Sequence, residues 1–297
     1  MKMLVTLHDT KATAVIDSIG AQLLSFKDSA GTEYIWQRDP EFWSKCSPLL
    51  FPIVGNCRNN QTRLEGRTWE IPKHGFCREA DFAVTQQAKT SAAFEIRDTE
   101  ETKRFYPYSF RLSLSYTLID GSLYMEYQVF NTEERTIYYC LGAHPGFNCP
   151  MENGASLEDY DLVFEKEETI SSMVYDCKNL EFNPGNRISR LKESRILSLN
   201  RELFKDDAVY FDDLKSRAVS IINRNTGRGV EVSFPGFETV AFWSPYPGEA
   251  PFVCVEPWNG SAIYATEDDE FIHKNHVQTL KPGKAKSYGL SIKILNE

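Results

Sequence analysis

Four polar residues stand where the surrounding sequence is apolar or turning: His74, His144, Asp207 and Glu256. The two histidines share a setting, His74-Gly75-Phe76 and His144-Pro145-Gly146-Phe147, each at the end of an apolar run. Glycine beside histidine permits a close turn and open access, and phenylalanine offers a flat apolar wall. Both corners could therefore face one pocket, with Phe147 on its lining. Glu256 closes the run Phe252-Val253-Cys254-Val255-Glu256-Pro257-Trp258, and burial at a strand end raises the pKa of a carboxylate. A buried carboxylate and an imidazole are the base and acid of proton-transfer chemistry. Each residue also has a plainer reading. A histidine at a strand end can be structural, and Asp207 in Lys205-Asp206-Asp207-Ala208-Val209-Tyr210 can simply form an Asx turn.

Other chemistries fit the residues less well. No HxH, HxxxH or HExxH spacing occurs, and the close pair His273 and His276 lies in a polar segment, which argues against a metal site. There is no GxSxG for a nucleophile elbow, and no phosphate loop or dinucleotide fingerprint. What remains is a neutral or weakly charged ligand. A sugar suits such a pocket, because Trp36, Trp243 and Trp258 could stack on a pyranose face while polar side chains bond its hydroxyls; for each tryptophan the competing role is core packing.

The net charge of -9 and the lack of a dense Lys/Arg run speak against nucleic acid and anionic membranes as partners. No apolar stretch approaches a membrane span, and Met1 to Asp9 is charged too early for a secretory signal. The expectation is a soluble cytoplasmic protein, monomer or homodimer. The 7 cysteines, irregularly spaced and without CxxC, are expected to be reduced, with Cys140 and Cys254 as small core residues.

The elements that must position these groups read as strands. Arg111 to Leu118 alternates polar and apolar, Asp120-Gly121 intervenes, and Leu123 to Val129 resumes the alternation, a hairpin signature. Similar turn signals occur at Asp28 to Gly31, Leu64 to Arg67 and Asn225 to Gly229. Helical periodicity is confined to short stretches near Pro40 to Trp43 and Arg201 to Phe204. The prediction is an all-β chain, one large antiparallel β-sandwich domain over residues 1–297, too big for an immunoglobulin module. The Asn- and Glu-rich stretch 149–190 looks like an excursion or rim, with no role legible.

With these residues in view, the chain resembles the aldose 1-epimerase (mutarotase) family, in particular its short bacterial branch. The resemblance spans nearly the whole sequence. It rests on Pro48-Leu49-Leu50-Phe51-Pro52-Ile53-Val54-Gly55, His74-Gly75-Phe76-Cys77-Arg78, His144-Pro145-Gly146-Phe147-Asn148, Asp207-Ala208-Val209-Tyr210 and Cys254-Val255-Glu256-Pro257-Trp258-Asn259-Gly260, in that order. The resemblance implies the galactose mutarotase-like supersandwich and catalysis without metal or organic cofactor. It implies Glu256 as base, His144 as acid and His74 and Asp207 as sugar-positioning groups. Arg78 follows His74 as in those members, and Arg58 is the looser match to the family's sugar-contacting arginine.

The implied reaction opens a hexose to its free aldehyde and recloses it as the other anomer. Two departures bear on the substrate. Free-sugar members carry a fuller Asn-Arg signature than Asn56-Cys57-Arg58-Asn59-Asn60, and hexose-6-phosphate members carry an arginine where Cys46-Ser47-Pro48 stand. Since a phosphate dianion generally takes more than one cation, the expectation leans to a neutral aldose, with hexose-6-phosphate mutarotation, a non-catalytic sugar sensor and a glycoside-modifying enzyme as alternatives.

Overall fold

The alternation in the sequence becomes a computed structural model built almost wholly of antiparallel strands, described for residues 2–295. Phe110–Ile119 and Ser122–Asn131 pair as the expected hairpin, with Leu123 opposite Leu118. Their alternating burial shows one face on the core and one in water. Asp120 and Gly121 both take positive φ (51° and 78°), as a two-residue turn between twisted strands requires. Gln61–Leu64 and Arg67–Glu70 repeat the device, and Ala218–Asn223 pairs with Gly229–Ser233 across the third predicted turn.

Most of these strands join a 15-stranded sheet, beside a 3-stranded sheet of Leu4–His8, Ala12–Asp17 and Gln22–Asp28 and two 2-stranded ribbons. Leu49–Leu50 lies at one end of the large sheet's order and Phe110–Ile119 near the other, yet the rings of Phe51 and Phe110 are 4.9 Å apart. The sheet's two ends thus face each other across one core. Tyr139 and Tyr288 join hydroxyls inside it at 2.8 Å, which satisfies two polar groups that burial would otherwise penalise. Strands covered on both faces lose the alternation: all eight residues of Phe252–Asn259 are buried.

The stretch 149–190 is not an excursion. It supplies Tyr160–Asp176, which pairs with Ala218–Asn223 inside the large sheet, and the start of its hairpin partner Glu181–Ser198. Its polar composition arises because Glu181–Ser198 lies mostly exposed outside the main strand order. The short helical stretches are a turn near Pro40 to Trp43 and a 3-10 helix Arg201–Phe204, capped by Asn200 accepting from the Leu203 N–H at 3.0 Å.

Candidate active site

A cavity of about 220 Å³ opens between these strands, lined by His74, Arg78, His144, Asp207, Glu256 and Trp258 among others. Glu256 projects from the centre of Phe252–Asn259, whose neighbour Thr239–Trp243 sets Ala241 opposite it. His144 lies between the short strands Leu141–Ala143 and Gly146–Asn148, both of which pair with Phe252–Asn259. That pairing brings His144 Nε2 to 3.0 Å from Glu256 Oε2, with both side chains buried. Burial pushes the Glu256 carboxyl above the usual carboxylate range; His144 opposes that rise and Asp207 adds to it.

Aromatic rings enclose His144. Trp43 stacks on it at 4.9 Å and Trp243 meets it edge-on at 5.9 Å. His144 Nδ1 has no hydrogen-bond partner. Gly146 makes room for this arrangement: a Cβ there would stand 3.1 Å from the Trp43 ring and 3.3 Å from Cys254 Sγ.

His74 is held differently. Its φ is +64°, and Gly75 follows at +72° with its backbone bridged to Phe51. A side chain on Gly75 would come within 2.0 Å of the Phe51 carbonyl oxygen, so only glycine fits this corner. The Gly55 N–H donates to His74 Nδ1 at 3.1 Å, and the His74 N–H donates to the Gly55 carbonyl at 2.7 Å. Nδ1 is therefore the acceptor, and the neutral ring carries its proton on Nε2. Burial holds His74 well below the usual histidine range, with the charges of His144, Lys73 and Arg78 acting in the same direction. His74 and His144 meet edge-on at 5.8 Å.

Trp258 forms part of the cavity wall with its indole N–H unpartnered. Across the strand pair it sits over Gly142, where a Cβ would stand 2.7 Å from Trp258 Cδ1. Asp207 follows the helix Arg201–Phe204, with its N–H donating to the Phe204 carbonyl and φ of +68°.

Two sequence expectations are corrected, and Trp36 takes the core role weighed for it. Arg58 is not a cavity residue: it pairs with Glu181 at 2.7 Å and with Asp269 at 3.2 Å. Phe147 is fully buried in the core, on a strand opposite Val253. Trp36 is also core, stacked on Phe252 at 4.6 Å and donating its indole N–H to the Trp43 carbonyl. It supports Trp43, which reaches the cavity together with Trp243 and Trp258. Sequence reasoning passed over Trp43, Lys45, Asn56, Lys73, Tyr175 and Phe182, all on the lining. Tyr175 and Phe182 come from the long hairpin, 5.1 Å apart, and no local pattern in that polar stretch announces them.

His144, Cys254 and Glu256 bring potential metal-ligand atoms within 4.8 Å of one another. Burial and the neighbouring Glu256 hold the Cys254 thiol well above its usual range, and His144 Nε2 is already engaged by Glu256. The group is arranged as a proton-sharing pair over a buried thiol. Metal ligation would have to displace both arrangements.

A large antiparallel β fold with a buried imidazole–carboxylate pair at its cavity has the parts of an acid–base site, and comparison with known proteins gives the family. A model of the aldose 1-epimerase family matches residues 3–278, and the chain belongs to that family. It is 36% identical over 300 residues to the chromosomal and plasmid LacX proteins of Lactococcus lactis subsp. lactis, covering 99% of this chain and 100% of each of theirs. The structure of a galactose mutarotase related enzyme from Lactobacillus acidophilus superposes with a TM-score of 0.92 at 32% identity, over 98% of this chain and 97% of that one. A galactose mutarotase-like protein from Lactobacillus casei gives 0.91 at 28% identity, over 98% and 100%. The fold is the galactose mutarotase-like sandwich.

Proposed function

We propose that this protein is an aldose mutarotase in which Glu256 is the base and His144 the acid. The observation that carries the reading is the buried 3.0 Å contact between His144 Nε2 and Glu256 Oε2 at the wall of the cavity. In a cyclic aldose the anomeric hydroxyl and the ring oxygen hang on the same carbon. The groups that deprotonate one and protonate the other must therefore be neighbours.

Glu256 takes the proton of the anomeric hydroxyl, the C1–O1 bond becomes a carbonyl, and the C1–O5 bond breaks as O5 takes a proton from His144. The freed aldehyde rotates about C1–C2. His144 then takes the proton back from the O5 hydroxyl, O5 attacks the other face of C1, and O1 recovers its proton from Glu256. Atoms and charge balance without a covalent intermediate. His74 Nε2–H, Asp207, Arg78 and Trp258 stand where they can hold the sugar during rotation. We place the reaction inside the cell, since all 7 cysteines are unpaired and persist as thiols in a reducing compartment.

Exchange NMR on freshly dissolved α-aldoses tests the reading. The protein should accelerate anomer exchange, and Glu256→Gln should lower kcat by about 10² or more while far-ultraviolet circular dichroism is unchanged. Full activity in that variant removes Glu256 from the role of base. Calorimetric sugar binding without exchange would favour a sensor on the same fold.

A further inference from the structure

In a chain of net charge -9, the cavity gathers the three cations Lys45, Lys73 and Arg78 against the two carboxylates Asp207 and Glu256. Among the described residues, only one of the protein's own anions pairs with them. Lys45 Nζ lies 2.5 Å from Glu79 Oε1, and the same oxygen is 3.8 Å from Arg78 Nε, so one largely exposed carboxylate serves two cations. Arg78 Nε is buried with no acceptor. Lys73 makes no ion pair among the described residues.

A buried guanidinium N–H without an acceptor carries a desolvation cost, which an arriving anion would offset. Neutral donors already face the cavity for sugar hydroxyls, namely His74 Nε2–H and the unpartnered Trp258 indole N–H. Lys45 and Lys73 are surplus to that task. The sequence expectation of a neutral aldose rested on a shortage of positive charge. The fold removes the shortage by bringing Lys45, from a separate segment, to the cavity that Lys73 and Arg78 line from either side of His74.

We infer that the cavity takes an anionic aldose, whose phosphate or carboxylate lies against Arg78, Lys73 and Lys45 while its anomeric carbon lies at His144 and Glu256. The anion must be remote from C1, because beside it the charge would repel Glu256. The inference rests on the mutarotase reading for its reaction but not for its charge preference.

A matched set tests it: one aldohexose, its 6-phosphate and its 6-carboxylate, with kcat/KM from exchange NMR and Kd from calorimetry. One anionic form should exceed the neutral parent by about tenfold or more, as charge-assisted hydrogen bonds allow. The ratio should shrink in Arg78→Gln and Lys73→Gln and at high salt, and the better anion separates a sugar phosphate from a sugar acid. A neutral parent that performs as well as both anions overturns the inference, as does an anionic preference untouched by either variant. Anion-selective binding without exchange would sink the mutarotase reading alone. Exchange that favours the neutral sugar would sink the charge inference alone.

Discussion

Under the proposed mutarotase reading, His74 would serve the scaffold and the ligand through different atoms. Its Nδ1 receives the Gly55 N–H, which leaves Nε2–H as the donor on the cavity side. Asparagine places an amide oxygen near the Nδ1 position and tolerates positive φ, so His74→Asn should keep the corner and lose the donor. We expect KM to rise several-fold in that variant with thermal stability nearly unchanged. His74→Ala also strips the buried acceptor and should cost about 1–3 kcal/mol in urea unfolding; equal stability of the two variants would contradict this division of labour. Glu256 makes a pH prediction. As the proposed base, Glu256 would have to be ionised, and burial raises its pKa, so kcat/KM should fall on acidification with an apparent pKa above the ordinary glutamate value of about 4.3. A limb at or below that value would mean that the ionisation seen in kinetics is not that of a buried Glu256. Glu256 and His144 were legible because each ends an apolar run within a short motif. Arg58 was misplaced because sequence order does not give side-chain direction: Asn59 and Asn60 follow it at φ 54° and 57°, and its guanidinium ends on Glu181 and Asp269 rather than in the cavity.

Among the elements, the long hairpin Tyr160–Asp176 and Glu181–Ser198 was the least legible, and the reason is physical. Its second strand is largely solvent-exposed, and register shifts break its pairing at four places, so the period-2 signal is diluted by polar residues and irregular spacing. The hairpins at Asp120-Gly121 and Glu65-Gly66 were read correctly because a two-residue turn with positive φ imposes a narrow choice of residues. The hairpin's pocket end is held in place by Arg58 through Glu181, next to Phe182, and by hydrogen bonds of the Phe182 backbone with Ile263 and Ala265. Arg58 thus acts on the cavity through its wall. Arg58→Met should cost under about 1 kcal/mol, since the pair is partly exposed, yet it should speed hydrogen exchange near Tyr175 to Phe182 and raise KM more than it lowers kcat. Unaltered exchange there would reduce the ion pair to a surface contact.

At the scale of the molecule, the large sheet takes strands from Leu49 to Leu295, and its ends meet across one core, so calorimetry should record a single unfolding transition. Two resolved transitions would divide the chain. The stability of the whole should also carry the signature of His74. Its folded pKa lies below the unfolded value of about 6.5, so the unfolded chain binds the extra proton, and stability is lost as pH falls below that value. Glu256 works in the opposite sense: its raised pKa makes burial a burden at neutral pH that protonation relieves. Urea midpoints between pH 8 and 5 should therefore fall less steeply on acidification in His74→Asn than in the parent, and identical slopes would exclude His74 as the source. Position 142 offers a different kind of control. With only a hydrogen between that backbone and Trp258, the indole packs directly on the sheet. A side chain added at 142 would press on the indole and raise that wall of the cavity, turning a residue that sits behind the wall into a size filter on what can enter.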